Sequence, residues 1–272
     1  MSPGLSFIDL PLAYLKRSMN IQLSPHKKVF FASDFHLGAP DHHTSKKRED
    51  KIIRWLHEIE DDAAAIFLVG DIFDFWFEYK TVIPKGFIKF ISKISQLRDK
   101  GIPVIFFTGN HDLWMKDYFT EELGIPVYHT PITVEINHKK LLIGHGDGLG
   151  PGDKQYKLLK KVFTNKFCQG LFRWLHPDIG IRIAQKWSGS SRISNQAKNE
   201  DAFKGKDEWL WQYCKDVEKK MHFDYYVFGH RHLPLSLEVG DQSMYYNLGE
   251  WVSQYTYGVF DGDNFQLAIF EE

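Results

Sequence analysis

Five apolar runs in this chain each end in a short polar cluster. KVFFASDFH (28–36) closes on Asp34 and His36, and AIFLVGDIFD (65–74) on Asp71 and Asp74. PVIFFTGNHD (103–112) closes on Asn110, His111 and Asp112, KLLIGHGD (140–147) on His145 and Asp147, and YYVFGHRH (225–232) on His230 and His232. Carboxylate, amide and imidazole without thiolate are the donors taken by Mn²⁺, Fe or Zn²⁺ rather than Ca²⁺. Their number exceeds what one tetrahedral ion needs and suits two ions sharing a carboxylate, about 3.5–4 Å apart. Each cluster alone has an ordinary explanation: Asp34 as a cap or turn former, Gly-Asn-His-Asp as a turn, His230 and His232 as surface histidines. Five such coincidences in one chain are a much poorer explanation than one shared site.

The clusters need elements that bring them together. Residues i and i+2 of a strand point the same way, so Asp34 and His36 can reach one point. The apolar runs read as strands, joined by MYYNLG (244–249). Between them lie helical patterns. Ile52, Ile53, Leu56 and Ile59 share a face, as do Phe87, Ile91, Ile94 and Leu97, and Leu210, Tyr213, Val217 and Met221. Strand–helix–strand–helix–strand predicts a parallel sheet, and in such sheets sites form outside the carboxyl ends of the strands. The tail from about 225 reads as short strands with Gly and Asp turns, predicting a meander. The fold class expected is α/β, with two sheets inside and helices outside.

One segment differs. Residues 154–198 carry ten Lys or Arg against one acid, Asp178, with Leu159, Phe163, Phe167, Leu171 and Trp174 at near-helical spacing. This predicts a basic amphipathic helical insertion, over about 153–200, in a single domain spanning 1–272. Such a surface can rest on anionic lipid headgroups. A cover helix with its lysines facing water is the plainer alternative.

Composition narrows the rest. Of 272 residues, 43% are hydrophobic and 25% charged, with net charge −1. That balance gives no global case for nucleic acid, so no nucleic-acid partner is expected. Cys168 and Cys214 lack zinc or disulfide spacing and are expected reduced, in keeping with a cytoplasmic protein. The N-terminal stretch shows no basic leader, and no window reaches the roughly 18 apolar residues of a membrane span. No phosphate-cradling loop ending in Lys-Ser/Thr is present.

Asp-x-His, Gly-Asp-x-x-Asp, Gly-Asn-His-Asp, Gly-His and Gly-His-x-His, in that order from about Val29 to Leu248, resemble the calcineurin-like metallophosphoesterases. The resemblance implies a two-sheet α-β-β-α sandwich with a helical cap insertion, and two divalent ions, with Mn²⁺ the first choice and Zn²⁺ or Fe as alternatives. By it, Asp34, His36, Asp71 and His232 hold one ion, and Asp71, Asn110, His145 and His230 the other. His111 becomes the general acid or charge stabiliser, Asp112 its orienting group, and Asp74 an outer support. Attack by an activated hydroxide needs no Ser or Cys nucleophile.

GDIFDFWFEY (70–79) and HGDGLGPGDKQYK (145–157) are similar to stretches of the bacterial UDP-2,3-diacylglucosamine pyrophosphatases of lipid A biosynthesis. RIAQKWSGSSRISNQAK (182–198) resembles their second cap helix. This implies cleavage of a lipid-linked UDP-sugar to UMP and 2,3-diacylglucosamine 1-phosphate, with Asn110, Arg182, Lys186, Ser191, Arg192 and Lys198 on the substrate. It also implies a place on the cytoplasmic face of the inner membrane. The chain departs at His111, where many members carry Arg, and at Phe77-Glu78-Tyr79, where Gly-Asp-Asp is usual. The alternative is a phosphodiesterase of the same fold acting on nucleotides or nucleic acid. Glu250 and Trp251 are expected on the far wall of the site, and His42 and His43 near its first motif.

Overall fold

The structure, a computed structural model, describes residues 18–151, 154–184 and 202–271. Two six-stranded sheets pack face to face. In the first, β1 (Ser18–Ile21), β6 (Ile132–Ile136), β7 (Lys139–Gly144), β8 (Tyr225–Phe228), β10 (Ser243–Leu248) and β9 (Pro234–Gly240) lie in that order. In the second the order is β12 (Phe265–Ile269), β11 (Thr256–Phe260), β2 (Lys28–Ala32), β3 (Ala63–Val69), β4 (Val104–Phe107) and β5 (Val127–Tyr128).

Strand alternation sorts the side chains into layers. Along β2, Val29 and Phe31 enter the space between the sheets, whereas Phe30 and Ala32 face α1 (His42–Ile59) and α2 (Ile88–Asp99). β3 repeats this with Ala65, Phe67 and Val69 inside and Ile66 and Leu68 outside. Because both faces are covered, these strands read as continuous apolar runs. On the opposite side, Tyr226 and Phe228 of β8 pack on Leu210 and Cys214 of α7 (Trp209–Glu218). The result is the α-β-β-α sandwich. Truncating a core side chain such as Leu56 to alanine costs about 2–5 kcal/mol here, since the site is fully buried.

β2, β3 and β4 are mutually parallel, as are β7 and β8. Their carboxyl ends meet at one edge of the sandwich. The tail is not one meander. β9 and β10 form a hairpin beside β8, whereas β11 and β12 form a second hairpin beside β2 in the other sheet. The crossing segment is anchored by Trp251, whose ring packs on Phe35, Trp55 and Phe270. Burying that indole in the α1 layer carries the chain across.

Between β7 and β8 come α3's distant neighbours α4 (Lys154–Phe163), α5 (Lys166–Arg173) and α6, described over 177–184; α3 itself spans Tyr118–Leu123. Among the described residues, the insertion docks mainly through an aromatic hub. Trp114 Nε1 donates to Phe163 O at 2.7 Å, and its ring meets Phe163 and Phe172 at 5.5 and 4.8 Å. No helix among the described residues is long and apolar enough to cross a membrane.

Candidate metal centre

Each cluster lies just past the end of its strand, where the backbone must turn sharply. Asp34, His36, Asp71, His230 and His232 all adopt left-handed φ, between 45° and 69°. A non-glycine residue there costs of order 1 kcal/mol and persists only where its surroundings over-determine it. The β2–β3 ladder supplies part of that by continuing past the strands: Asp34 N donates to Gly70 O at 3.0 Å and His36 N to Asp71 O at 2.9 Å. Glycines give the room. A Cβ on Gly109 would overlap the Asp71 carboxylate, and one on Gly229 would sit 2.6 Å from Asp34 Oδ2.

Of three donor groups among the described residues, two are joined by Asp71, and the third is His36, Asp74 and His111. Of the joined two, Asp34, His36, Asp71 and His232 form one, and Asp71, His145 and His230 the other. Asp71 Oδ2 lies 3.9 Å from His36 Nε2 and 3.4 Å from His145 Nε2, between the two. His232 Nε2 stands 3.1 Å from Asp34 Oδ1 and 3.1 Å from His36 Nε2. Asn110 Oδ1 is 3.4 Å from His145 Nε2, which adds the amide to the second group.

The chemistry of these donors fits divalent cations. Asp34 Oδ1 and His36 Nδ1 are buried, and their nearest counter-groups, His232 Nε2 at 3.1 Å and Asp74 Oδ1 at 3.7 Å, make no well-aligned hydrogen bond with them, a costly state for polar atoms unless a ligand completes them. His145 Nδ1 donates to Val69 O at 2.9 Å, which leaves Nε2, facing Asp71, as the atom that would ligate a cation once its own proton is displaced. Burial pushes the His230 imidazole down to about 3, helped by the cationic His145, and burial likewise lowers His36. Both are thereby neutral bases ready to ligate. Burial opposes charge on His145, but Asp71 outweighs it and raises the ring to about 10. Burial also opposes ionisation of Asp34, yet His232 holds it at about 2. Against burial, His145 and His111 keep Asp71 well below the usual carboxylate range. The buried carboxylates thus take compensating positive charge from a proton on His145, the role a divalent cation fills better.

Around this core the roles differ from expectation. His111 Nδ1 donates to the carbonyl oxygen of Asp74 at 3.0 Å, and Asp74 Oδ1 lies 3.6 Å away, so Asp74 orients the ring. Asp112 is instead a clamp. Its Oδ1 accepts from Gly109 N at 2.7 Å and its Oδ2 from Ile72 N at 2.9 Å, tying the β3 and β4 loops together. Burial and the Asp71 charge raise its carboxyl to about 7. Glu250 and Trp251 do not wall the site. Glu250 caps the turn at Val252–Gln254, and Trp251 is core, donating its main-chain N–H to Asp34 O from behind. His42 and His43 are exposed on the first turn of α1.

Arg48 escaped sequence reasoning. From α1 its Nη1 donates to Phe35 O, His36 O and Ala39 O at 2.8–3.1 Å, bracing the loop that presents His36. Glu78, in the departing Phe77-Glu78-Tyr79 segment, accepts from Trp76 Nε1 at 2.9 Å and from Asp117 N at 2.8 Å. It thereby fastens the platform on which Phe172 sits, 4.8 Å from Phe77.

A cleft of about 1320 Å³ runs from His145 between the insertion and α7. Leu113, Trp114, Leu149, Leu158, Val217 and Met221 give it apolar walls, and Lys116, Lys157, Lys160, Lys161, Lys166 and Lys220 a basic lining. Lys160 Nζ contacts Asp147 Oδ2 at 2.5 Å, joining α4 to the His145 loop. The apolar side chains of the insertion do not share one slot: Phe163 and Phe172 dock it, whereas Phe167, Leu171 and Trp174 face outward. Arg182 is exposed on α6. Lys186, Trp187, Ser191, Arg192 and Lys198 lie outside the described residues.

The sequence model of the calcineurin-like phosphoesterases matches residues 27–234. The UDP-2,3-diacylglucosamine hydrolase of Porphyromonas gingivalis is 36% identical over 257 residues, covering 90% of this chain and 98% of that protein. Those of Proteus mirabilis and Yersinia pseudotuberculosis are 29% and 27% identical, covering 80% and 85% of this chain and 90% and 96% of theirs. The match spans all five strand ends. The chain belongs to the calcineurin-like metallophosphoesterase family, and it is a hydrolase.

Proposed function

We propose that this hydrolase adds water across the pyrophosphate bond of UDP-2,3-diacylglucosamine, giving UMP and 2,3-diacylglucosamine 1-phosphate. The observation that carries the metal chemistry is Asp71 Oδ2, set between two donor groups at 3.9 and 3.4 Å. Asp34, His36, Asp71 and His232 would hold one cation and Asp71, Asn110, His145 and His230 a second, with Mn²⁺ favoured by the mixed O and N donors. When bound, such a pair supplies an acidified water and neutralises phosphoryl charge. His111 commits Nδ1–H to Asp74 O. Donation to the leaving phosphate therefore falls to Nε2 and requires the imidazolium form. Asn110 Oδ1, 3.4 Å from His145 Nε2, would serve the second cation, and its amide is the proposed contact to a phosphoryl oxygen.

The substrate assignment draws support from the names of relatives aligned over most of their length and from the cleft. Its apolar walls suit acyl chains and its lysines a diphosphate. Leu158, Phe167, Leu171, Trp174, Ile179 and Ile183 are exposed beside Lys161, Lys166, Arg173 and Arg182. This surface supports peripheral contact with anionic lipid on the cytoplasmic face of the inner membrane, where such a substrate resides. Arg182, Lys186, Ser191, Arg192 and Lys198 remain the proposed substrate contacts.

Incubation with UDP-2,3-diacylglucosamine and Mn²⁺ tests the reading. UMP is the expected product. Release of UDP would mean that a different bond is cut, and hydrolysis of a simple aryl phosphodiester alone would turn the assignment toward nucleotide or nucleic-acid diesters.

A further inference from the structure

Arg231 stands between His230 and His232, and the chemistry above makes no use of it. Its side chain is buried. Nε donates to Glu208 Oε1 at 2.7 Å and Nη2 to Glu208 Oε2 at 3.1 Å, a two-point pair whose carboxylate is also fully buried. Nη2 donates again to Ala202 O at 3.1 Å, and the guanidinium lies over the Trp209 ring, 4.3 Å from its centroid. These three partners belong to the stretch that leads from the insertion into α7. Glu208 is the N-cap of α7, yet its side chain serves no helix amide.

A buried ion pair is weak evidence of a stabilising role, because desolvation offsets much of the attraction. The neighbouring backbone suggests another role. His230 and His232 are both left-handed, and between them Arg231 N donates to Gly229 O at 2.8 Å. Such a turn holds its shape only when its surroundings dictate it. The start of α7 also abuts the other ligand loop: a Cβ on Gly146 would stand 2.9 Å from Leu210.

We infer that Arg231 is a positioning residue: its fork on Glu208 fixes the turn that presents His230 and His232, and registers the return from the insertion against the metal centre. This rests on reading those histidines as ligands. Lysine would keep the charge but lose the fork.

Calorimetric titration of Mn²⁺ into the purified full chain separates positioning from simple stability. Either partner changed alone strands a buried charge and weakens the fold whichever role holds. The discriminating variant is therefore Arg231→Met with Glu208→Leu, which removes both charges and keeps volume. It is expected to melt cooperatively near the unaltered chain yet bind Mn²⁺ about 10–100-fold more weakly, the scale for a lost outer partner. A folded double variant with affinity within twofold of the unaltered chain, for every Mn²⁺ site, overturns the inference alone. If the double variant does not fold, Arg231→Lys decides by the same measure: weakened Mn²⁺ binding supports the inference and unchanged affinity overturns it. An unaltered chain that binds no Mn²⁺ removes the ligand reading itself, and the inference with it.

Discussion

Asp71 and Trp174 stand at opposite extremes of this molecule. Asp71 is 1% exposed and left-handed, with its Oδ1 accepting from His111 N at 2.8 Å and its Oδ2 facing two imidazoles. Trp174, at the end of α5, is 91% exposed. The contrast extends to their surroundings. The strand-end rim is built from positions that backbone ladders, glycine gaps and buried clamps all specify at once. Among the described residues, the insertion is held chiefly by the Trp114 hub, a few lysine contacts and the Arg231 contacts at its return. Atoms that must meet a cation and a phosphorus within tenths of an ångström need the first kind of construction. A wall proposed to accept hydrocarbon chains needs only area and latitude.

The largest test of this contrast removes the shared carboxylate. Asp71→Asn is expected to lower kcat by more than the roughly 10–100-fold that an outer-sphere loss costs, with cooperative thermal unfolding retained; kcat and Tm together check it. Withdrawal of divalent cations by a chelator comes next. Activity should vanish and return with Mn²⁺, and Mn²⁺ at a hundredfold over its Kd should add about 2.7 kcal/mol of stability. That corresponds to a rise in Tm of several degrees, read by calorimetry.

The third test acts on the other region. Phe172→Ala loosens the insertion from Trp114 and Phe77. The KM for the diacylated substrate should rise roughly tenfold, about 1.4 kcal/mol, while turnover of a small aryl phosphodiester stays within twofold. An equal fall in both would erase the division of labour.

The smallest effect lies far from either region. Lys93 Nζ meets Glu60 Oε2 at 2.5 Å, and this hydrogen bond holds the Glu60 carboxyl at about 2, below its ordinary 4.5. A depressed carboxyl stabilises the fold fully above pH 4.5, and that contribution is lost as pH falls from 4.5 toward 2. Glu60→Gln should flatten this limb of Tm against pH without changing turnover at neutral pH.

The strand ends were legible because their cause is local: an apolar run, a glycine, then a donor. Asp34, Asp71, His145 and His230 could be found without knowing what lay opposite them. The helical faces carrying Leu56, Leu97 and Leu210 were legible for the same reason. What stayed hidden depends on partners distant in the chain. Arg48 reaches back to the His36 loop, Glu78 forward to Asp117, and Arg231 back to Glu208. Nothing in their immediate neighbours signals these pairings. Asp112 was misread because a carboxylate beside His111 looks like its partner, whereas main-chain amides claim it. The tail was misread because turns mark where strands end and not which sheet they join.

The five left-handed donors carry a consequence for engineering. Glycine would occupy each of those dihedrals without steric penalty, so exchanging Asp34, His36, Asp71, His230 or His232 for glycine relieves backbone tension as it abolishes a donor. At the histidines, a laboratory selection for heat resistance carried out without divalent cations would therefore reward changes that silence the enzyme, and survivors would need screening for turnover at every round.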